Sequence, residues 1–213
     1  LVQRFVQGIG AVTGLSDGFP WGIWITFDVV VGTALGCGGF AMAILVYIRN
    51  KGEYPPLVRS AVMTSLFGYT LAAVAVFIDI GRYWNMHHTL LPQYWNTSSV
   101  LLEVAVCIAL YVTVLWIEFT PTFLEKAGGP QAAKGINRIM FIFIALGVLL
   151  PTMHQSSLGT LMVISGHKLS PLWQTGFLPL LFLITAVTMG YAVTVFESII
   201  SSLIFGRPLE MKL

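Results

Sequence analysis

The chain has 213 residues, 56% of them hydrophobic and 9% charged, with a net charge of +2 and a mean hydropathy of +0.84. Soluble domains carry roughly 25% charged residues, so this deficit excludes an ordinary soluble enzyme. The small net charge says nothing about nucleic acid, and with no basic aromatic patch no nucleic-acid partner is expected. Cys37 and Cys107 both sit inside apolar runs, form no CxxC motif and read as small apolar filler.

Residues 1–20 are an amphiphilic lead-in whose glycines and Asp17-Gly18 pair signal a loop or short surface helix. Five apolar runs follow, at about 21–48, 56–82, 97–123, 137–156 and 173–205. Each meets or exceeds the ~20 residues that cross a hydrocarbon core. Helix is expected in all of them, because an open strand leaves backbone groups unpaired in lipid. The reading is an all-α polytopic membrane protein with five transmembrane helices. No signal-peptide pattern opens the chain. It begins on Leu and ends soon after an apolar run, so further segments are expected to belong to the protein.

Five spans make the connecting segments alternate sides. Arg49, Lys51, Arg59, Lys126, Lys134, Arg138, Arg207 and Lys212 fall on one side; Arg4, Arg82 and Lys168 fall on the other. The positive-inside rule makes the first side cytoplasmic. Residues 1–20, 83–96 and 157–172 are then expected outside, toward the periplasm of a bacterial inner membrane. Trp21, Trp24, Tyr83, Trp84, Tyr94, Trp95 and Trp173 gather at that outer edge, as an interfacial aromatic belt does.

Ionisable groups are costly in lipid, so each is a candidate for function. The fourth run ends in Leu149-Leu150-Pro151-Thr152-Met153-His154-Gln155-Ser156-Ser157-Leu158-Gly159, with the only histidine carried by a span. Asp28 lies seven residues after Trp21, Asp79 and Arg82 end the second run, and Glu103 sits early in the third. All are expected in the outer half of the membrane. Asp28, Gly32, Gly36 and Gly39 share one helix face, and Gly68, Ala72, Ala75, Asp79 and Arg82 share another. Small residues let membrane helices approach closely, so these faces are expected to meet other helices. Gly147, Pro151 and His154 form a third stripe, and Pro151 frees the Gly147 carbonyl.

Each of these residues also has a purely structural reading. His154 closes a helix end, Asp28 and Glu103 bond a neighbouring helix, and Asp79 with Arg82 makes an ion pair. His87, His88 and His167 read as solvated loop residues. Glu118 and Glu197, toward the inner ends of their helices, read either as snorkelling acids or as inner proton-path groups.

Acids, an imidazole, amide and hydroxyl groups and apolar walls at one membrane edge suit a quinone headgroup. Its carbonyls need hydrogen-bond donors, and its two-electron reduction takes up two protons. The protein then binds, orients and moves protons while the redox chemistry stays with the quinone. Electrons would arrive from a partner docked outside. The rivals are a haem-bearing b-type cytochrome anchor, which needs a second histidine at similar depth, a transporter or proton channel, and a structural anchor.

The stretch 150–159 resembles the NrfD / polysulfide-reductase membrane-subunit family, and within it the HybB-type membrane subunits of uptake NiFe hydrogenases. Matching stretches are Gly18-Phe19-Pro20-Trp21-Gly22 with Ile25-Thr26-Phe27-Asp28, Ser65-Leu66-Phe67-Gly68-Tyr69, Asp79-Ile80-Gly81-Arg82-Tyr83-Trp84-Asn85 and Glu103-Val104-Ala105-Val106-Cys107. The resemblance implies a membrane subunit without haem or metal that binds menaquinone or ubiquinone near the outer face of a four-helix bundle. It implies a ferredoxin-like iron–sulfur subunit as partner and, through it, the large and small subunits of a NiFe hydrogenase, with hydrogen oxidation reducing quinone. His154 and Asp28 are the expected proton-handling residues, and His154, Asp28, Asp79, Arg82, Glu103, Gln155 and Trp21 the expected quinone-binding set. Residues 21–164 are expected to form the bundle, and 165–213 an outer loop plus a fifth helix that begins a second bundle. Full members of the family have further helices on both sides.

Overall fold

In a computed structural model, residues 1–16, 18, 26–48, 55–127 and 130–206 are described, without the side chains of 26, 28, 30, 55, 56, 130, 132 and 167. The elements are α1 (Val2–Gln7), α2 (Gly32–Leu35), α3 (Gly38–Ala43), α4 (Pro55–Asp79), α5 (Val100–Lys126), α6 (Pro130–Ile164) and α7 (Leu178–Phe205). Wider π turns, Thr26–Val31 and Ile44–Ile48, flank α2 and α3. Short 3-10 turns fill the connections after α4 and α6. There is no strand among the described residues.

The long helices α4 to α7 contain four apolar stretches of spanning length, Leu57–Asp79, Val100–Lys126, Ala133–Ile164 and Leu178–Phe205; Gly32–Ile48 is apolar but shorter. Residues 21–25 of the first expected run, Trp21 and Trp24 among them, lie outside the described residues. The protein is therefore an all-helical membrane protein, with four helices able to span among the described residues.

Local chemistry sets the helix ends. Ser99 caps α5, its Oγ accepting the Leu102 N–H at 3.3 Å. Glu103 in the first turn and Lys126 in the last suit the helix dipole. Gly206 ends α7 in the left-handed region at φ 60°, where a side chain is strained. Helix α6 runs 35 residues, well past the expected end at 156. Leu158–Ile164 stays apolar, and Pro151 costs one backbone bond without ending the helix. His154 consequently lies ten residues, roughly 15 Å, inside the helix end.

Helices α4, α5, α6 and α7 pack in sequence, and the α2–α3 segment closes the ring against α4, α6 and α7. The small-residue faces meet as expected. A Cβ on Gly32 would stand 3.8 Å from Ala72 Cβ, and one on Gly68 3.4 Å from Gly36 Cα. Gly36 is demanding: a Cβ there would lie 2.6 Å from the Tyr69 ring. The main core, around Leu66, Tyr69, Cys107, Tyr111, Leu115 and Leu150, joins α4, α5 and α6. Phe67, Phe141, Phe196 and Leu203 point outward and are exposed. In water these would be liabilities; in a bilayer they face acyl chains.

Candidate functional site

The break between α2 and α3 places Cys37 at the centre of the ring, opposite Tyr69 of α4, Tyr111 of α5, and His154 and Gln155 of α6. Cys37, Tyr69 and His154 are each 0% exposed. Polar groups this deep are costly unless hydrogen-bonded, and here they bond one another. His154 Nδ1 lies 2.9 Å from the Leu150 carbonyl, and Nε2 lies 2.8 Å from the Tyr69 hydroxyl. The carbonyl only accepts, so Nδ1 carries the proton and Tyr69 donates to Nε2, an assignment that follows from the network. The Gln155 amide approaches the Tyr69 hydroxyl at 3.4 Å and Cys37 Sγ at 3.6 Å. Cys37 in turn donates to the Thr33 carbonyl at 3.1 Å. Tyr111 packs edge-on against Tyr69, with ring centroids 4.7 Å apart, and lies 6.1 Å from the His154 ring.

A cleft of about 440 Å³ opens beside this network, between residues 31–34, α6 and the start of α7. Its walls are apolar, with the buried Leu158 and Leu178, the half-buried Phe182 and the exposed Leu181 and Trp173 among the lining residues. A hydroxyl and an amide also line it, from Thr185 and Gln155. The Thr185 hydroxyl is spent on the Leu181 and Phe182 carbonyls of its own helix. Gln155 is thus the polar group that joins the cleft to the buried network. The volume falls within the ~300–1,000 Å³ of small-molecule sites, which are apolar with a few placed polar groups. Gly159 makes the close seam possible: a Cβ there would stand 2.5 Å from Pro179 Cα.

The expected site residues separate into three places. His154 and Gln155 belong to the network, with Gln155 at the cleft and His154 behind it. Glu103 lies apart, its Oε1 accepting from Ser157 Oγ at 2.8 Å and tying α5 to α6. Asp79 and Arg82 sit at the end of α4, ten residues or more from Tyr69, roughly 15 Å along the helix. Trp21 lies outside the described residues, as does the Asp28 side chain. Sequence reasoning passed over Tyr69, Tyr111 and Cys37, which look like ordinary core residues. It also passed over Arg4, whose buried guanidinium donates to the Ile78 and Ile80 carbonyls and caps the end of α4. The signal for Arg4 was a lone cation in an apolar lead-in.

A family model, "Polysulphide reductase, NrfD", matches residues 11–208. The chain belongs to the NrfD family. Among curated relatives, this NrfD chain is 49% identical over 92% of its length to the "Probable Ni/Fe-hydrogenase 2 b-type cytochrome subunit" of Escherichia coli K12, covering 50% of that protein. It is 34% identical over 95% of its length to the "Menaquinone reductase, integral membrane subunit" of Nitratidesulfovibrio vulgaris Hildenborough, again covering 50%. The chain spans about half the length of these relatives. No solved structure matches it.

The name of the first relative raises haem. Both His154 nitrogens are engaged, by Leu150 and Tyr69, and His154 lines neither the cleft nor the cavity on the far side of the network. His87 and His88 lie in the turn Tyr83–Leu90, beyond the spans. Among the described side chains, these histidines are not placed as a pair of axial ligands; the His167 side chain lies outside them.

Proposed function

We propose that this chain is the quinone-binding half of a membrane subunit of a respiratory oxidoreductase of the hydrogen:quinone kind. One observation carries the reading: Gln155 both lines the apolar cleft and reaches the buried Tyr69–His154 pair. The functions that name two relatives, a hydrogenase subunit and a menaquinone reductase subunit, support it. In this reading the first four apolar runs form the bundle, residues 26–48 belong to its first span, and α7 is the fifth span and begins a second bundle. The positive-inside bias turns the cleft toward the periplasmic half of a bacterial inner membrane.

The chemistry follows from the groups present. A ferredoxin-like iron–sulfur subunit docked outside, linked to NiFe hydrogenase subunits, supplies two electrons. The quinone, menaquinone or ubiquinone, lies in the cleft with its tail toward lipid. The Gln155 amide offers N–H to a quinone carbonyl or, rotated, C=O to a quinol hydroxyl. The Tyr69 hydroxyl, already aligned on His154, supplies the adjacent proton store. Quinone, two electrons and two protons give quinol. Asp79, Arg82 and Glu103 shape the outer edge and the partner's docking surface, while Asp28 and Trp21 stay candidates for the headgroup contact.

The decisive experiment is quinone-dependent turnover of the assembled complex carrying Gln155→Leu or His154→Ala, with assembly checked by co-purification. Loss of quinone reduction, with electron delivery to a soluble dye retained, supports the reading. Unchanged quinone turnover in both variants overturns it. A reduced-minus-oxidised haem band that persists after removal of the iron–sulfur subunit would establish the b-type cytochrome reading instead.

A further inference from the structure

The turn between α4 and α5 carries two adjacent imidazoles, His87 and His88, that the quinone reading leaves unused. Tyr83–Leu90 winds as eight residues of 3-10 helix, a form that rarely exceeds roughly 3–4 residues. Hydrogen bonds hold it. The Asn85 N–H donates to the Arg82 carbonyl at 2.9 Å, the Leu91 N–H to the His88 carbonyl at 3.2 Å, and the Trp95 indole N–H to the Thr89 carbonyl at 2.9 Å. His87 is exposed and His88 half-buried, and both rings are fixed by a neighbour. His87 Nδ1 lies 2.7 Å from the Trp84 carbonyl. The carbonyl only accepts, so Nδ1 carries the proton and Nε2 keeps a lone pair in the neutral ring. A metal-ligating histidine is oriented in the same way, by giving its other N–H to a backbone carbonyl. His88 stacks on Tyr94, with ring centroids 3.8 Å apart and planes at 18°. The two imidazole centroids stand 4.4 Å apart, with planes at 73°. Imidazoles that share one ion through ~2.0–2.1 Å bonds have ring centres roughly 4–5 Å apart, so the observed spacing suits a shared ion.

We propose that His87 and His88 form a surface site for a divalent ion of the zinc and copper class, held by the two imidazoles and completed by water. Imidazole suits zinc and copper, whereas calcium and magnesium require oxygen ligands. No Asp, Glu, Lys or Cys lies between Tyr83 and Ser99, so the pair has no competing charge or thiolate on its own segment. Among the described residues no three His, Cys, Asp or Glu gather, which leaves the remaining coordination positions to water. The Trp84 carbonyl and the Tyr94 ring orient the two ligands, and the bound ion is a clasp on the α4–α5 turn. The site does not depend on the quinone reading, because neither histidine lines the cleft.

The test is zinc binding by the assembled complex, prepared in detergent without a polyhistidine tag and titrated with zinc sulfate by equilibrium dialysis and elemental analysis. The wild type should bind one zinc per membrane subunit more than the double variant His87→Ala, His88→Ala does. Each single alanine variant should weaken binding by about 100-fold or more, and Tyr94→Ala, which removes a supporting ring, by roughly tenfold. Tyr94→Phe keeps the stack and should bind zinc as the wild type does. Quinone turnover without added zinc should be unchanged in all of them, which shows that the complex is folded; His87→Gln and His88→Gln repeat the test where an alanine variant loses turnover. With copper(II) in place of zinc, electron paramagnetic resonance should show two imidazole nitrogens in the wild type and one in either single variant. Zinc retained in full by the double variant, or no zinc bound by the wild type beyond that variant, overturns the site. So does a copper signal with fewer than two imidazole nitrogens in the wild type.

Discussion

The two cavities sit on either side of one buried network and are built from opposite materials. The cleft between α6 and α7 is about 440 Å³, walled by leucine and aromatic side chains, with Gln155 at its polar edge. The cavity between α3, α4, α5 and α6 is about 200 Å³ and lined by Glu118, Arg59, Glu125 and Asn137. An apolar cleft admits a lipid-soluble molecule and repels water; a charged cavity holds water and protons. Tyr69, Tyr111 and His154 fill the space between them with packed rings, and the Tyr69 hydroxyl bonds His154 Nε2. The difference teaches that one buried network can border two spaces of opposite polarity.

That comparison breaks first at His154. His154→Ala removes the base that holds Tyr69 and should lower quinone turnover by roughly 10²–10⁴-fold, the range of general acid–base contributions. Steady-state rates with quinone and with a soluble dye, measured on the same preparation, check it. Gly36→Val is expected to damage both cavities at once by driving a side chain into the Tyr69 ring, costing about 1–3 kcal/mol as overpacking does. A lower thermal midpoint in detergent, followed by labelling of the buried Cys37 and Cys107 thiols, is the readout. Tyr69→Phe sharpens the comparison. It leaves the packing in place but strips the donor from the buried His154 Nε2, for about 1–3 kcal/mol of stability and a loss of quinone turnover with dye reduction retained. Phe196→Leu, on the exposed face of α7, should change stability by less than about 0.5 kcal/mol. A large effect there would mean that this face is covered by protein rather than lipid.

Some of this was legible from the chain alone because lipid imposes simple rules. Long apolar runs have to be helices, and the helices α4 to α7 are found where those runs lie. The glycine and alanine faces of the first two runs meet, since spacing at helical period places small residues on one side whatever the neighbour. His154 and Gln155 stood out because polar groups are rare at that depth. Tyr69 and Cys37 did not, because an aromatic ring or a thiol in an apolar run looks the same whether it packs or bonds. Asp79 and Arg82 share a depth zone with the site in sequence terms, yet they lie at the far end of α4. Because α6 continues to Ile164, His154 lies ten residues inside its helix and pairs with Tyr69, ten residues before Asp79, so the site is deeper than the run lengths implied.

The chain by itself determined the class of solvent, the helical state, the small-residue contacts and the polar residues worth watching, since all of these follow from residue type and period. Tertiary structure alone decided that α6 continues past Pro151, that Gln155 rather than His154 meets the cleft, and that Glu118 and Tyr111 face a second cavity. Those outcomes depend on which helix faces which, and that is set by packing between segments far apart in sequence.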